Sequence, residues 1–255
     1  MNTSAPLLVT GGTGTLGSLV VPLLRQAGHE VRILTRHGRA SGDGIEYHAC
    51  DLLRGDGLSS ALDGVETVLH LAGGPKDDDE ATRNLVGAAQ TAKVQHLVYI
   101  SVIGTDRIPL AYFRAKLGAE EAVAASGIPW TTLRAAQFHD LALTLARKMS
   151  KLPIIPSPGG MRWQPVDARD VAERLVELAL DAPVGRTPDL AGPRTYGLGD
   201  LLRSYLDTTG KRRPMLQVRI PGSVGRAYRA GENLAAENAS TGQRTWEAFL
   251  SEQAA

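Results

Sequence analysis

Tyr112 and Lys116 are the two residues whose types and spacing most directly suggest chemistry. They lie four residues apart in a segment with helical spacing, so we expect both side chains on one face of a helix. A phenol has an ordinary pKa of about 10, and a cation about 5 Å away at an effective dielectric near 20 contributes about 3 kcal/mol, or roughly two pKa units. The pair therefore predicts proton transfer to or from a substrate oxygen by Tyr112. Ser101, after a predicted strand, is the candidate hydrogen-bond donor to that oxygen, although serine there is also a common turn or cap residue.

A glycine-rich turn follows the apolar residues 7–9 near the start of the chain. Glycines keep such a turn tight and let the backbone approach a pyrophosphate, whose charge the N–H groups of the next helix receive. Strand, turn and a helix with apolar residues at helical spacing form the opening of a Rossmann unit. The residues expected to bind the dinucleotide here are Gly11, Thr13, Gly14, Thr15, Leu16 and Gly17.

Arg36 follows the second predicted strand, where an acidic residue would favour NAD and an arginine can accommodate the extra phosphate of NADP. The chain has no acidic residue between Arg36 and Asp43. A guanidinium forms paired hydrogen bonds to phosphate, which favours NADP(H) over NAD(H). Further cofactor contacts are expected after the third and fourth strands, although plain turns would explain those segments too, and Lys116 could also bind the nicotinamide ribose. These further candidates are Asp51, Leu52, Leu71, Ala72 and Gly73.

Short apolar segments alternate with helical ones through the first half of the chain. This alternation predicts an α/β fold, a Rossmann-type doubly wound parallel sheet with helices on both faces. The strands predicted after the first are 31–34, 45–48, 67–71, 96–100 and 130–135, and the helices are 58–62, 80–92 and 111–125. Pro22 predicts a bend in the first helix.

The last third is interpreted as a small C-terminal α/β substrate lobe. Residues 152–160 contain three prolines and two glycines, which predicts an ordered loop or lid. Strands are predicted at 162–166 and 188–191, and a helix at 171–180 with Asp170 as its cap. We expect one domain over 1–255, with the nucleotide-binding core mainly in 1–150 and the substrate lobe and C-terminal helices mainly in 151–255. Another helix is predicted from Leu198, Leu201, Leu202, Tyr205 and Leu206.

Composition argues against several classes of protein. The net charge is +1 and the largest basic cluster has three residues, which gives no footprint for nucleic acid. A single cysteine, Cys50, excludes an internal disulfide, and the six histidines show no metal-ligand spacing. No apolar segment approaches the roughly 20 residues of a membrane span. We expect a cytoplasmic protein with a small-molecule substrate, no metal and no membrane partner; the oligomeric state stays open.

Residues after the fifth and sixth strands are candidates for the substrate pocket. Apolar packing explains two of them equally well, and tryptophan is more often a core residue than a ligand contact. The acidic run 77–80 is interpreted as a solvated helix start stabilised by the helix dipole, rather than a metal site. The pocket candidates are Val102, Ile103, Gln137, Phe138 and Trp163.

The turn 10–17 and the Tyr112–Lys116 pair, with five further segments, resemble the short-chain dehydrogenase/reductase superfamily, specifically its atypical NmrA-like branch. The resemblance spans nearly the whole chain and implies a nicotinamide-binding Rossmann domain with a variable C-terminal lobe. It implies Tyr112, Lys116 and Ser101 as the catalytic set, although Ser101 precedes Tyr112 by fewer residues than is usual. The further segments are Leu69-His70-Leu71-Ala72, Tyr99-Ile100-Ser101, Pro165-Val166-Asp167, Asp170-Val171-Ala172 and Asp189-Leu190-Ala191-Gly192.

These features favour an NADP(H)-dependent oxidoreductase that interconverts a carbonyl and an alcohol on a small or medium apolar substrate. Two alternatives stay open. The branch includes regulators that bind NADP and respond to redox state without turnover, and the same scaffold can serve a non-redox isomerase or cyclase. The presence of both Tyr112 and Lys116 favours an enzyme.

Overall fold

A computed structural model of the chain describes residues 5–36, 38–74 and 76–254. The chain divides into two compact units. Unit 1 comprises Met1–Ser101, Arg114–Leu133 and Ala172–Thr187, and unit 2 comprises Val102–Phe113, Arg134–Val171 and Pro188–Ala255. The chain therefore passes between the units several times.

Unit 1 is built on a parallel sheet. Strand β1 pairs in parallel with β2 on one side and with β4 on the other, while β2 pairs with β3 and β4 with β5. The strand order is β6-β5-β4-β1-β2-β3, so the order reverses beside β1, where open α/β sheets bind ligands at the carboxyl ends of their strands. The strands are β1 Leu7–Thr10, β2 Val31–Thr35, β3 Ile45–Ala49, β4 Thr67–His70, β5 His96–Val102 and β6 Trp130–Ala135.

Four helices follow the first strands: α1 Gly17–Gln26, α2 Leu58–Ala61, α3 Asp78–Thr91 and α4 Ala111–Ala124. Leu8, Val68 and Leu97 of the sheet are fully buried in one cluster with Leu85 of α3 and Val123 of α4. Burying each such side chain stabilises the fold by about 1.5–3 kcal/mol. The predicted Rossmann-type α/β fold is confirmed, and the predicted strands and helices of this half agree with the structure to within a few residues.

Unit 2 contains short strands and most of the C-terminal helices. Strand β7 (Ile155–Pro158) pairs in parallel with β12 (Met215–Val218), and β8 (Arg162–Trp163) pairs antiparallel with β11 (Tyr196–Gly197). The end of β6 pairs with β10 (Leu190–Ala191), which pairs with β13 (Ser240–Thr241). The remaining strand β9, Gly185–Arg186, pairs with β6 within unit 1. The other helices are α5 His139–Met149, α6 Ala168–Leu180, α7 Leu198–Thr208, α8 Gly222–Ala230 and α9 Trp246–Ala254.

Two predictions for this region were wrong. Residues 152–160 were expected to form a loop, but they contain β7. Ile155 and Gly159 donate their N–H groups to the segment 214–218, whereas Pro156 and Pro158 occupy alternate positions at which no donor toward β12 is required. The strand predicted at 162–166 ends at Trp163, because Pro165 cannot donate to a ladder.

Helix α5 was not predicted. Its buried residues are His139, Ala142, Leu143 and Ala146, of which only Leu143 is a large apolar residue, so the apolar pattern is weak in the sequence. Helix α7 was predicted, and its buried face consists of the five residues named for it. None of the helices in the described residues is long and apolar enough to span a membrane.

Candidate functional site

The glycine-rich turn between β1 and α1 is packed too tightly for side chains at Gly11 and Gly17. Gly11 has φ +67°, and a Cβ there would lie 2.7 Å from the backbone nitrogen of Ala72. A Cβ on Gly17 would collide with the carbonyl oxygen of Gly11 and lie 2.5 Å from the Cα of Gly12. Residues 13–15 are exposed between these contacts. The turn is therefore open to a ligand just before the N-terminus of α1, the end of a helix that favours anions.

Arg36 is exposed and directly follows β2. Because Thr10 pairs with Leu34 in the parallel ladder, Arg36 lies at the same edge of the sheet as the glycine turn. After β3, the Asp51 carboxylate accepts the N–H of Leu53 at 3.0 Å, so one of its oxygens already has a partner. Asn84 of α3 donates to the carbonyls of Leu52 and Leu53, each at 2.9 Å. These two bonds fix the segment that follows β3 at this edge of the sheet.

A chain of hydrogen bonds through His70 links β1, β4 and α3. Thr82 donates to the carbonyl of Asp78 at 2.7 Å, so it must accept from His70 Nε2 at 3.0 Å. Thr10 accepts the N–H of Ala72 at 3.0 Å, and its hydroxyl lies 2.6 Å from His70 Nδ1. The Thr82 contact places a proton on Nε2, and a neutral ring of this tautomer accepts the Thr10 hydroxyl proton at Nδ1.

The environment of His70 agrees with that assignment. His70 is 1% exposed, and its pKa is lowered to about 4, mainly by burial. Within this net shift, the Asp78 charge acts to raise the pKa and the Lys116 charge acts to lower it. The imidazole therefore links β1 and β4 as an uncharged residue at neutral pH.

Lys116 is buried in a polar cluster next to this chain. Its ammonium lies 2.9 Å from the Asp78 carboxylate, 3.2 Å from the Tyr99 hydroxyl and 3.4 Å from the carbonyl of Ile100. Three acceptors thus match the three protons of the ammonium. The Tyr99 hydroxyl in turn donates to Asp78 at 3.3 Å.

The burial of Asp78 and its pairing with Lys116 correct one prediction and one premise drawn from the sequence. The acidic run 77–80 was expected to be solvated, but Asp78 is 3% exposed. The activation of Tyr112 was argued from an uncompensated Lys116 charge, and Asp78 compensates that charge. The sequence contained a signal for the burial of Asp78, because it lies at helical spacing from the other residues of the buried face of α3. These residues are Thr82, Leu85, Val86 and Ala89.

Tyr112 is half-buried at the start of α4, one helical turn before Lys116. Its ring packs edge-on against Phe113, with centroids 5.4 Å apart, and adjoins the apolar cluster of unit 2. Tyr112 belongs to unit 2 and Lys116 to unit 1. The predicted cofactor residues are all in unit 1, whereas the five predicted substrate residues are all in unit 2.

Three of the predicted catalytic and substrate residues carry buried polar atoms without a hydrogen-bond partner among the described residues: Ser101 Oγ, Gln137 Oε1 and Trp163 Nε1. Such groups are rare in native proteins because their desolvation is uncompensated, so they point to a ligand or water. Ser101 lies in unit 1, and the other two lie in unit 2. Of the remaining substrate candidates, Val102 and Ile103 are buried and Phe138 is half-buried.

Asp167 and Asp170, which carried part of the family resemblance, stabilise unit 2. Arg169 donates twice to Asp167, at 2.9 and 2.8 Å. Burial acts to raise the pKa of Asp167, but the hydrogen bonds from Arg169 outweigh it and hold this pKa well below its usual range. Asp170 was predicted to cap a helix, which was wrong: its carboxylate accepts the backbone N–H groups of Gln243 and Arg244 at 2.9 and 3.1 Å and pairs with the Arg244 guanidinium.

The part of the chain that the structure describes contains no group of three or more His, Cys, Asp or Glu side chains arranged to hold a metal ion. The donors gathered at the edge of unit 1 are instead backbone N–H groups and an arginine, which suit phosphate oxygens.

The fold and this edge define a dinucleotide-binding Rossmann protein, and comparison with known proteins identifies its family. Residues 11–182 match the model of the NAD(P)H-binding family. The chain therefore belongs to this family, and its resemblance to NAD(P)-binding short-chain dehydrogenase/reductases is confirmed.

Relatives differ in their named roles. NAD(P)H azoreductase of Xenophilus azovorans is 32% identical over 84% of this chain and 77% of its own length. The photosystem II assembly factor Ycf39 of Trieres chinensis is 26% identical over 89% of this chain and 78% of its own length. Protein TIC 62 of Pisum sativum is 34% identical over 50% of this chain, and the match covers 32% of that protein's length.

Solved structures share the same fold. The NADPH complex of the NADPH-dependent quinone oxidoreductase QOR2 from Escherichia coli superimposes with a TM-score of 0.82 at 20% identity, covering 97% of this chain and 99% of that one.

Proposed function

We propose that this protein is an NADP(H)-dependent oxidoreductase that interconverts a carbonyl and an alcohol on a small or medium apolar substrate. The observation that carries the cofactor preference is the exposed Arg36 at the edge of the sheet that holds the glycine turn. A carboxylate at this position would repel a 2′-phosphate, whereas a guanidinium can pair with it through two hydrogen bonds. The 32% identity to an NAD(P)H azoreductase supports an oxidoreductase.

The residues present fit a nicotinamide dinucleotide. Residues 13–15 of the glycine turn are exposed, so the turn is open to a pyrophosphate. Gly73 is exposed after β4, where a dinucleotide could cross the edge of the sheet. When bound, the cofactor would supply or accept the hydride.

The chain itself must supply the proton and hold the substrate oxygen. We assign proton transfer to the phenol of Tyr112, which gives its proton to the oxygen in reduction and removes it in oxidation. Ser101 Oγ has no hydrogen-bond partner among the described residues and is proposed to donate to the same oxygen. Gln137 Oε1 and Trp163 Nε1 are proposed to meet polar atoms of the substrate, because their desolvation is otherwise uncompensated.

Calorimetric titration with NADPH and NADH tests the cofactor proposal. We expect wild-type protein to bind NADPH more tightly, and Arg36→Ala to raise the Kd for NADPH about tenfold or more while leaving NADH binding within about twofold. Arg203→Ala is the matched control, because Arg203 is an exposed arginine on α7 paired only locally with Asp200. Equal affinities for both nucleotides in wild type would overturn the NADP preference.

A turnover assay separates an enzyme from a regulator. NADPH oxidation is followed by its absorbance, with an aromatic aldehyde, a quinone and an azo dye as separate acceptors. Oxidation that depends on an acceptor supports the oxidoreductase, and the aldehyde arm tests carbonyl reduction directly. Tight NADPH binding without oxidation by any acceptor would favour the alternative that the protein binds NADP as a regulator without turnover. The 26% sequence identity to a photosystem II assembly factor also suggests a non-enzymatic role.

A further inference from the structure

Asp78 joins two parts of unit 1 that bear on cofactor binding. Its Oδ1 accepts the N–H of Gly74 at 3.2 Å, and its Oδ2 lies 2.9 Å from the ammonium of Lys116. The side chains of Asp78 and Lys116 are 3% and 6% exposed. One buried carboxylate therefore fixes both the segment after β4 and the lysine of α4.

Gly73 lies directly against this ion pair. A Cβ on Gly73 would come within 2.8 Å of Lys116 Nζ and 3.4 Å of Asp78 Oδ1. Gly73 itself is exposed, whereas the ammonium is buried. The ammonium thus lies close to a backbone segment that a bound dinucleotide would meet.

The ammonium has no spare proton for a ligand in this arrangement, because Asp78, Tyr99 and Ile100 provide three acceptors. Lys116 therefore acts on a ligand through its charge and through the backbone above it. Asp78 fixes the charge and the backbone segment, since its carboxylate binds the Lys116 ammonium and accepts the N–H of Gly74, the residue after Gly73.

We propose that Asp78 is a positioning residue for the nicotinamide half of the cofactor, acting through Lys116 and the backbone of Gly73 and Gly74. This inference rests on the proposed function. It predicts that loss of the carboxylate weakens binding of the whole dinucleotide but not of its adenosine half, which is assigned to the glycine turn and Arg36.

The experiment compares NADPH with 2′,5′-ADP, which lacks the nicotinamide half, on Asp78→Asn. We expect Kd for NADPH to rise about tenfold and Kd for 2′,5′-ADP to change by less than about twofold. Asp79→Asn is the isosteric control, because Asp79 is the next residue and forms a more exposed pair with Arg83. Leu85→Ala is the stability control, because it removes a fully buried apolar side chain from the same helix, about two turns after Asp78.

Gly73→Ala is the second variant and serves if Asp78→Asn does not fold. Its methyl group would lie 2.8 Å from the Lys116 Nζ unless the ammonium moved, whereas Asp78 and Lys116 themselves are not replaced. We expect the same selective loss of NADPH affinity. Equal losses for both ligands, a similar loss in Leu85→Ala, or unchanged NADPH affinity would overturn the inference. If wild-type protein binds neither ligand, the proposed function fails and the inference with it; if wild type binds both and the variants do likewise, only the inference fails.

Discussion

The ammonium of Lys116 lies 2.9 Å from the carboxylate of Asp78, and both side chains are buried. Breaking such a pair by removing one partner typically costs about 3–5 kcal/mol, because the other charge is left buried without compensation. The second residue of the predicted catalytic pair is therefore also part of the framework of unit 1. Loss of activity on mutation of Lys116 cannot by itself establish catalysis, whereas Tyr112 allows a cleaner test.

Replacement of Tyr112 by Phe tests proton transfer. If the phenol is the proton donor, kcat for reduction of an aldehyde should fall about 10²- to 10⁴-fold, since that is the usual contribution of general acid–base catalysis. Kd for NADPH should stay within about twofold, because only the hydroxyl is removed. Tyr205→Phe, a buried tyrosine of α7, is the control. Unchanged turnover in Tyr112→Phe would remove Tyr112 from the mechanism.

Replacement of Gly17 by Ala tests the turn. The added methyl group would collide with the backbone of Gly11 and Gly12, so the turn must open. We expect NADPH affinity to fall at least about tenfold, measured by calorimetry. In the control Gly87→Ala, the methyl group meets no atom within 4 Å. That change should stabilise α3 by about 0.5–1 kcal/mol, since alanine is the better helix former, and should leave binding unchanged.

The neutral state of His70 predicts a pH dependence of stability. Because burial lowers its folded pKa from 6.5 to about 4, the unfolded chain binds more protons than the folded one between these values. The free energy of unfolding should therefore decrease as the pH falls through this window, by up to about 1.4 kcal/mol per pH unit from this residue. Urea unfolding from pH 7.5 to 4.5 measures it. His70→Gln should be less stable at neutral pH but show a shallower slope; an identical slope would contradict the assignment.

Asp170 predicts a stability effect in unit 2. Its carboxylate is 7% exposed and accepts two backbone N–H groups of the segment before α9. Asp170→Ala removes the acceptor of those two N–H groups and the carboxylate that pairs with Arg244, so we expect a loss of about 2–4 kcal/mol. Asp200→Ala removes only an exposed ion pair and should cost less than about 0.5 kcal/mol. Urea unfolding of both variants makes the comparison, and similar losses would show that Asp170 has no special role.

The order and positions of the first six strands were predictable because each is a short apolar segment bounded by turn residues. The glycine turn was predictable because it lies between a strand signal and a helix signal. Gly17 meets a local requirement set by Gly11 and Gly12, whereas the close approach of Gly11 to Ala72 joins segments far apart in sequence. Strand β7 was not predictable, because its partner β12 lies about 60 residues later and no local pattern announces that pairing. The backbone N–H groups that donate to Asp170 were missed for the same reason, since they follow more than 70 residues later.

By itself, the sequence determined the Rossmann-type α/β class, the glycine turn, the place of Arg36 after the second strand and the spacing of Tyr112 and Lys116. All of these depend on local spacing, which the chain carries in one dimension. Only the tertiary structure decided that Asp78 is buried against Lys116, that His70 is neutral, and that Ser101, Gln137 and Trp163 carry polar atoms without partners among the described residues. Burial and pairing of these groups depend on which distant segments meet, and that is decided by packing of the whole sheet rather than by neighbours in sequence.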